Sequence, residues 1–149
     1  MMSREIKMLV FSIGDQFYSG DIMEVERILT YEDPTKLPDS PEFLKGVINY
    51  EGNILPVISL SDRFHKISSD SEEHLKIIVT RQDDKKIGII VDSVSEVKPI
   101  MEEQIEDAPD IASQVSKRYI KGLIKEDERI IVFLTLGSIL SEEEKQLVY

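Results

Sequence analysis

One stretch of the chain reappears 76 residues further along, and this repeat constrains the fold more than any other feature. The residues FLKGVI (43–48) resemble YIKGLI (119–124), and NYEGNILPVISL (49–60) resembles KEDERIIVFLTL (125–136) at the same offset. The nine apolar positions compared in the first copy all fall on apolar residues in the second. Chance convergence of hairpin patterns is the alternative, but the common offset favours a duplication.

A second, shorter similarity extends the repeat towards the N-terminus. IMEVERI (22–28) matches IVDSVSEV (90–97) at an offset of 69, so loop lengths differ between the copies. The aligned apolar pairs are Val25 with Val94 and Ile28 with Val97. The repeat predicts two similar β-units of about 70 residues, each too small for a large core of its own. We expect them to pack over a shared apolar interface and to curl so that few sheet edges stay open.

Alternating and β-branched runs between turn residues predict a chain made mostly of strands. We expect one strand at 8–14, another from Phe17, and three hairpins, at 46–60, 75–92 and 118–136. Residues 22–29 fit either a helical period or an irregular strand.

The remaining segments predict loops and short helices. Three prolines within 33–43 indicate a stiff extended loop, because proline fixes φ and restrains the preceding residue. A helical turn is expected at 61–66 with Ser61 as its N-cap. The tail at 140–149 predicts a short helix in which Ser141 and Glu144 form a capping box.

The composition excludes several kinds of chemistry. The 149 residues carry a net charge of −11 and include no cysteine, which rules out disulfides, thiolate metal sites and a cysteine nucleophile. The acidity argues against nucleic acid or an anionic membrane surface as a partner. No apolar run approaches the roughly 18–20 residues of a membrane span, and no targeting segment is visible, so we expect a cytoplasmic protein.

Candidate catalytic and metal-binding groups are few. The chain contains no phosphate-binding glycine loop, no nucleophile elbow and no zinc-protease motif. Its two histidines, His65 and His74, lie near Asp70, Glu72 and Glu73, but on a polar loop segment without fixed geometry. The serines have no histidine at a telling spacing. We therefore predict a protein that is not an enzyme and needs neither metal nor cofactor.

Five motifs in the chain point to one family when they are taken together. They are GDQFYSGDIMEVERIL (14–29), TKLPDSPEFLKGVINYEGNILPVISL (35–60), IGIIVDSVSEV (87–97), EEQIEDAP (102–109) and YIKGLI (119–124). Over about residues 8–147 the chain resembles the CheW-type chemotaxis coupling proteins. The resemblance implies an all-β fold, a single domain over 1–149 made of two packed five-stranded SH3-like β-barrels with a short C-terminal helix.

The resemblance also implies a function. Proteins of this family are non-catalytic adaptors that couple a CheA-type histidine kinase, through its regulatory domain, to the cytoplasmic tips of methyl-accepting chemoreceptors. The alternative is a related adaptor of another kinase pathway, such as surface motility, with a non-standard receptor. In either case we expect a monomer when free, recruited to receptor arrays without entering the membrane.

Site residues follow from the same resemblance. The receptor-facing groove is expected to include Val25, Arg27, Glu51, Ile87, Gly88 and Val97. The kinase-facing residues are expected to be Thr35, Leu37 and Lys45 on the first barrel and Asp110 and Ile111 on a second-barrel loop. Alternative explanations stay open: core packing for Val25 and Val97, close backbone approach for Gly88 and simple solvation for Lys45.

One pair of residues departs from the family's pattern. Family members usually carry an arginine in an asparagine-x-arginine-glycine turn and an acidic residue after the second strand. Here the turn holds Glu51 and the facing position holds Arg27, so both signs are reversed. We predict that the two form an inverted ion pair, because a swap in both members preserves the attraction. Two unrelated surface charges are the alternative.

Overall fold

The computed structural model describes residues 4–64, 74–82, 84–108 and 118–148, and ten strands lie within them. The strands are β1 (Glu5–Ile13), β2 (Gln16–Asp21), β3 (Val25–Thr30), β4 (Leu44–Tyr50), β5 (Asn53–Ser59), β6 (Lys76–Gln82), β7 (Lys85–Val91), β8 (Ser93–Met101), β9 (Ile120–Glu126) and β10 (Arg129–Leu134). The helices described in full are α1 (Leu60–Arg63) and α2 (Glu142–Val148). Single 3₁₀ turns occupy Ile22–Glu24, Glu102–Gln104 and Leu136–Ser138.

The strands form two five-stranded sheets with the same internal order. The first sheet runs β3-β6-β7-β5-β4, and the second runs β8-β1-β2-β10-β9. In each, one parallel pair, β5 with β7 or β10 with β2, joins two antiparallel hairpins. The aligned stretches of the repeat therefore occupy equivalent strands. The two units are interleaved along the chain, however. The N-terminal strands β1 and β2 belong to the second sheet, whose other strands come from the C-terminal half.

Both faces of the central strands are buried, which explains their nearly continuous apolar runs. In β1, Met8 and Val10 belong to a core cluster inside the second sheet, while Leu9 and Phe11 point into a cluster shared by both sheets. The interior of the first sheet forms a third cluster. The predicted shared apolar interface is thus present, and it lies between two separate sheet interiors.

Aligned residues of the repeat take the same side of their sheets. Val57 and Phe133 face the interiors of the first and second sheets, respectively. Their neighbours Ile58 and Leu134 both lie in the shared cluster and are almost fully buried. The alternation of β5 and β10 thus carries the same inside–outside register in both copies.

A glycine in each copy allows a strap to cross the sheet edge. Thr35 forms an isolated bridge with Val47, and Glu106 forms the corresponding bridge with Leu123. A Cβ placed on Gly46 would lie 2.6 Å from the carbonyl oxygen of Thr35. A Cβ on the aligned Gly122 would lie 2.6 Å from the carbonyl oxygen of Glu106. The straps satisfy backbone groups on the edge strands β4 and β9, which limits pairing with other chains.

The helix and turn predictions are partly confirmed. Glu144 N–H donates to Ser141 Oγ over 3.1 Å and Ser141 N–H donates to Glu144 Oε1 over 2.9 Å, so the predicted capping box caps α2. The prediction for α1 was wrong by two residues. Its N-cap is Ser59, whose hydroxyl oxygen accepts from Asp62 N–H, because the helix begins directly after β5 at Leu60. The ambiguous segment 22–29 splits into a 3₁₀ turn and β3.

Candidate functional site

The edge strands β3 and β8 carry exposed apolar residues at aligned positions. Val97 on β8 is 53% exposed, and its counterpart Ile28 on β3 is also exposed. Val97 is therefore a surface residue, and core packing does not explain it. Val25 is half-buried and packs against the shared cluster, so it serves the core with part of its side chain.

The two receptor-groove residues predicted on β7 are buried. Ile87 lies in the shared cluster, and its carbonyl oxygen accepts from Thr80 Oγ1. A Cβ on Gly88 would lie 2.9 Å from Ile77 Cγ2 and 3.2 Å from Val57 Cγ2, inside the first sheet. Both residues are thus in the interior, because β7 is the central strand of its sheet and has both faces covered. Their part in the receptor groove stays a prediction. The atoms nearest to this Cβ position belong to side chains, so side-chain packing accounts for the glycine, and not the close backbone approach offered as the alternative.

Arg27 and Glu51 form the predicted inverted ion pair. Arg27 Nη1 lies 3.2 Å from Glu51 Oε2, and both side chains are about half exposed. Glu51 adopts a left-handed backbone, with φ of 52°, in the β4–β5 turn. A register shift between Val25 and Arg27 forms a β-bulge in the pairing of β3 with β6. A bulge of this kind redirects side chains on an edge strand.

A buried tyrosine connects this pair to a second acidic group. Tyr50 Oη donates a hydrogen bond of 2.6 Å to Glu26 Oε2, and Lys86 Nζ lies 3.1 Å from the same oxygen. These two contacts lower the pKa of Glu26, the Tyr50 hydrogen bond having the larger effect. Burial, and next the hydrogen bond to Glu26, raises the pKa of Tyr50 to about 12. The four residues Glu26, Arg27, Tyr50 and Lys86 are called the tyrosine network below.

The predicted kinase-facing residues of the first sheet lie along its β4 edge. Thr35 is exposed and forms the strap bridge to Val47. Lys45 Nζ donates to Asp62 Oδ2 over 3.3 Å, so this lysine has a partner within the chain. Leu37 is an exposed apolar residue of the proline loop. The predictions for Asp110 and Ile111 lie outside the described residues.

Two further apolar residues accompany Leu37, and the sequence analysis missed them. Ile54, on β5, is 71% exposed, and Leu147, on α2, is similarly exposed. Both line one groove with Leu37, between the proline loop, the β4–β5 hairpin and α2. We call this surface the apolar groove. The alternation of β5 carried a usable signal for Ile54, since Leu55 and Val57 face inward and place Ile54 on the outer face.

Metal and membrane features can be checked only where the structure describes the chain. Within 4–64, 74–82, 84–108 and 118–148 no group of three or more histidine or acidic side chains could hold a metal ion. His65, Asp70, Glu72 and Glu73, four of the five candidates from the sequence, lie outside these ranges. Among the described helices, none has the length and apolar character needed to cross a membrane.

Comparison with known proteins decides the family. The chain matches the CheW-like domain over residues 7–144. It belongs to the CheW family. The chemotaxis protein CheW of Klebsiella aerogenes is 35% identical over 140 residues, which cover 94% of this chain and 84% of that protein. The chemotaxis protein CheW of Thermotoga maritima is 35% identical over 139 residues, covering 93% and 90%.

A solved structure agrees with the CheW assignment. The crystal structure of scaffolding protein TtCheW from Thermoanaerobacter tengcongensis superimposes with a TM-score of 0.84 at 32% identity, covering 97% of this chain and 99% of that one. The chain is thus an all-β member of the CheW family, with two packed five-stranded SH3-like barrels and a short C-terminal helix. Membership in the family also makes it a non-catalytic scaffold protein of chemotaxis, which confirms the resemblance in the sequence.

Proposed function

We propose that this protein couples a CheA-type histidine kinase to the cytoplasmic tips of methyl-accepting chemoreceptors. The observation that carries the proposal is the apolar groove. Leu37, Ile54 and Leu147 come from the proline loop, β5 and α2, yet they line one surface and remain exposed. In a chain with a net charge of −11, clustered exposed apolar side chains indicate a protein partner.

The groove suits the regulatory domain of the kinase, which has the same fold according to the family resemblance. It adjoins the β4 edge, where Thr35 and Lys45 lie. Barrel-to-barrel packing would cover the apolar side chains and leave charged residues at the rim, as in most protein interfaces. Asp110 and Ile111 are proposed to meet a neighbouring kinase domain in the array.

The receptor is proposed to meet the surface marked by Val25, Val97 and the Arg27–Glu51 pair. A receptor tip is a helical hairpin, and an amphipathic helix binds a groove through its apolar face. Exposed Val97 and half-exposed Val25 provide apolar contacts. Ile87 and Gly88 support this surface from the core. We further propose a cytoplasmic protein that is monomeric when free and is recruited to receptor arrays.

The kinase contact can be tested with two aligned isoleucines. Ile54→Asp removes an apolar side chain from the groove, and Ile130→Asp makes the same change at the aligned position of the second barrel, which is 51% exposed. Binding of the purified kinase regulatory domain, measured by calorimetry, should weaken at least tenfold for Ile54→Asp and stay within twofold for Ile130→Asp. Equal losses, or no loss in either variant, would contradict the proposed kinase face.

A second candidate function rests on the reversed ion pair. An adaptor with Arg27 and Glu51 exchanged relative to the usual family members presents an opposite charge pattern, which favours a partner of complementary pattern. The corresponding candidate function is an adaptor of a different kinase pathway, for example one of surface motility. Glu51→Arg and Arg27→Glu alone should each weaken binding of a chemoreceptor tip fragment, and the double variant should recover part of it. Additive losses would argue against a role for the pair.

A further inference from the structure

The tyrosine network surrounds a single aromatic ring on the first barrel. The guanidinium carbon of Arg27 lies 5.8 Å from the centre of the Tyr50 ring, and Lys86 Nζ lies 5.5 Å from it. The hydroxyl group of the same tyrosine donates a hydrogen bond to Glu26. Tyr50 therefore touches, with one rigid and buried side chain, charged residues of β3 and β7.

The bulge in β3 is what brings Glu26 and Arg27 together at the ring. Neighbouring residues of a regular strand point to opposite faces, but both of these contact Tyr50. The equivalent bulge is present in the second barrel, where the pairing of β8 with β1 shifts register and passes over Ser95. The β-bulge is thus common to both copies, while the residues at the bulge differ.

The second barrel holds no counterpart of the tyrosine at the aligned position. Glu126 occupies that position and binds Lys98 and Arg129 directly, at 2.6 and 2.7 Å. Arg129 also contacts Glu96, the residue aligned with Arg27. In that barrel too an arginine lies over an aromatic ring, since the guanidinium carbon of Arg129 is 4.5 Å from the centre of the Phe17 ring. The first barrel differs because its ring carries a hydroxyl group, which donates to Glu26.

We propose that Tyr50 and Glu26 are positioning residues that hold the Arg27 guanidinium beside Glu51, so that a docking receptor helix meets a fixed charge pattern. This rests on the proposed function, which places the Arg27–Glu51 pair against the receptor. An exposed ion pair alone restrains two long side chains weakly. A cation stacked on an aromatic face is held in a defined place, and Glu26 holds the ring through its hydroxyl group.

The first experiment uses the free protein and separates positioning from partner binding. Nitrogen-15 relaxation of the Arg27 side-chain Nε–Hε group reports its order directly. Order should fall clearly in Tyr50→Leu, which removes the ring, and to a lesser degree in Tyr50→Phe and Glu26→Gln, which keep the ring and remove the anchoring contact. The matched control, Glu126→Gln, alters the aligned position in the second barrel and should leave Arg27 unchanged. Unchanged order in Tyr50→Leu would overturn the positioning role.

The second experiment measures binding of a chemoreceptor cytoplasmic tip fragment by fluorescence titration. We expect Arg27→Ala and Tyr50→Leu each to weaken binding about fivefold, and the double variant to bind no more weakly than either one. Loss in Arg27→Ala with full binding in Tyr50→Leu would overturn the positioning role alone. Full binding in Arg27→Ala would overturn the proposal that the Arg27–Glu51 pair faces the receptor. Receptor recognition through the tyrosine network would then be excluded as well. Since Tyr50 is buried, Tyr50→Phe and Glu26→Gln repeat the comparison in chains with a smaller change to the core.

Discussion

The two barrels share a backbone plan but expose different surfaces. Strand order, the strap glycine, the edge bulge and the inward alternation of the β5 and β10 strands recur in both. The first barrel presents the apolar groove and the tyrosine network, while the second presents ion pairs around Glu126. Equivalent positions of the two barrels keep the residues that packing requires, while their exposed residues differ. The first barrel is accordingly where we place both principal partner surfaces.

The largest expected effects concern the cluster that the barrels share. Ile58→Ala and Leu134→Ala remove aligned, almost fully buried side chains, and each should lower the free energy of unfolding by about 2–5 kcal/mol. Because the cluster belongs to both barrels, we propose that residues 1–149 unfold as one domain. Calorimetry should show a single transition in both variants. Two separate transitions, with only one shifted per variant, would show that the barrels are independent units.

Substitution of the two strap glycines should cause the next largest loss of stability. Gly46→Ala and Gly122→Ala each place a Cβ at 2.6 Å from a backbone oxygen of the crossing strap, which must move. We expect a loss of about 1–3 kcal/mol in each, as for other overpacked sites. Urea denaturation of both variants would measure the difference, with Gly137→Ala as the control, because its Cβ would approach no atom closer than 3.4 Å. A neutral Gly122→Ala would break the equivalence of the two straps.

The acid limb of stability should respond in both barrels. Hydrogen bonds lower the pKa of Glu26, mainly from Tyr50, and of Glu126, mainly from Lys98. A lowered pKa in the folded state adds stability above the usual pKa of 4.5, and this is lost as the pH falls through the lowered value. Glu26→Gln and Glu126→Gln should therefore each flatten the acid limb of a denaturation series below pH 4.5. Parallel acid limbs for wild type and either variant would contradict this.

The alkaline limb should contain contributions from both sheets, because burial raises the pKa of Tyr50 on β4 and of Tyr18 on β2. Burial raises the pKa of Tyr50 from 10.0 to about 12, so its stabilising contribution is present below pH 10.0 and is lost as the pH rises towards 12. Tyr50→Phe removes the contribution of Tyr50 to the dependence of stability on pH. Tyr18, whose pKa burial also raises, contributes equally in wild type and variant. Absorbance titration of the phenol gives the midpoint directly. A Tyr50 midpoint near 10 would show that the hydroxyl group is solvated.

The smallest expected effect on stability comes from the Arg27–Glu51 pair. Both side chains are about half exposed, so a double-mutant cycle to alanine should give a coupling energy of about 0–1 kcal/mol. The less exposed Arg129–Glu126 pair of the second barrel should give a larger value in the same cycle. Both arginines lie over an aromatic ring, Arg27 over Tyr50 and Arg129 over Phe17, so the reverse order would mean that burial does not decide the relative strength of the two pairs.

Local patterns in the sequence determined much of the molecule. The repeat at an offset of 76 placed the β4–β5 and β9–β10 hairpins, since alternation and turn residues act over short distances. Ser141 and Glu144 located the start of α2 because both partners of a capping box lie within four residues. The reversed signs of Arg27 and Glu51 predicted an ion pair that the folded chain forms.

Tertiary structure decided what depends on residues far apart in the chain. Ile87 and Gly88 are groove positions by resemblance, and only the folded structure shows that neighbours on both sides of β7 bury them. The apolar groove exists only because Leu37, Ile54 and Leu147 are brought together from separate elements. The ring of Tyr50 meets Arg27 only through the β3 bulge, a register shift set by pairing with β6. Burial and long-range register are sums over distant partners, and no local pattern contains them.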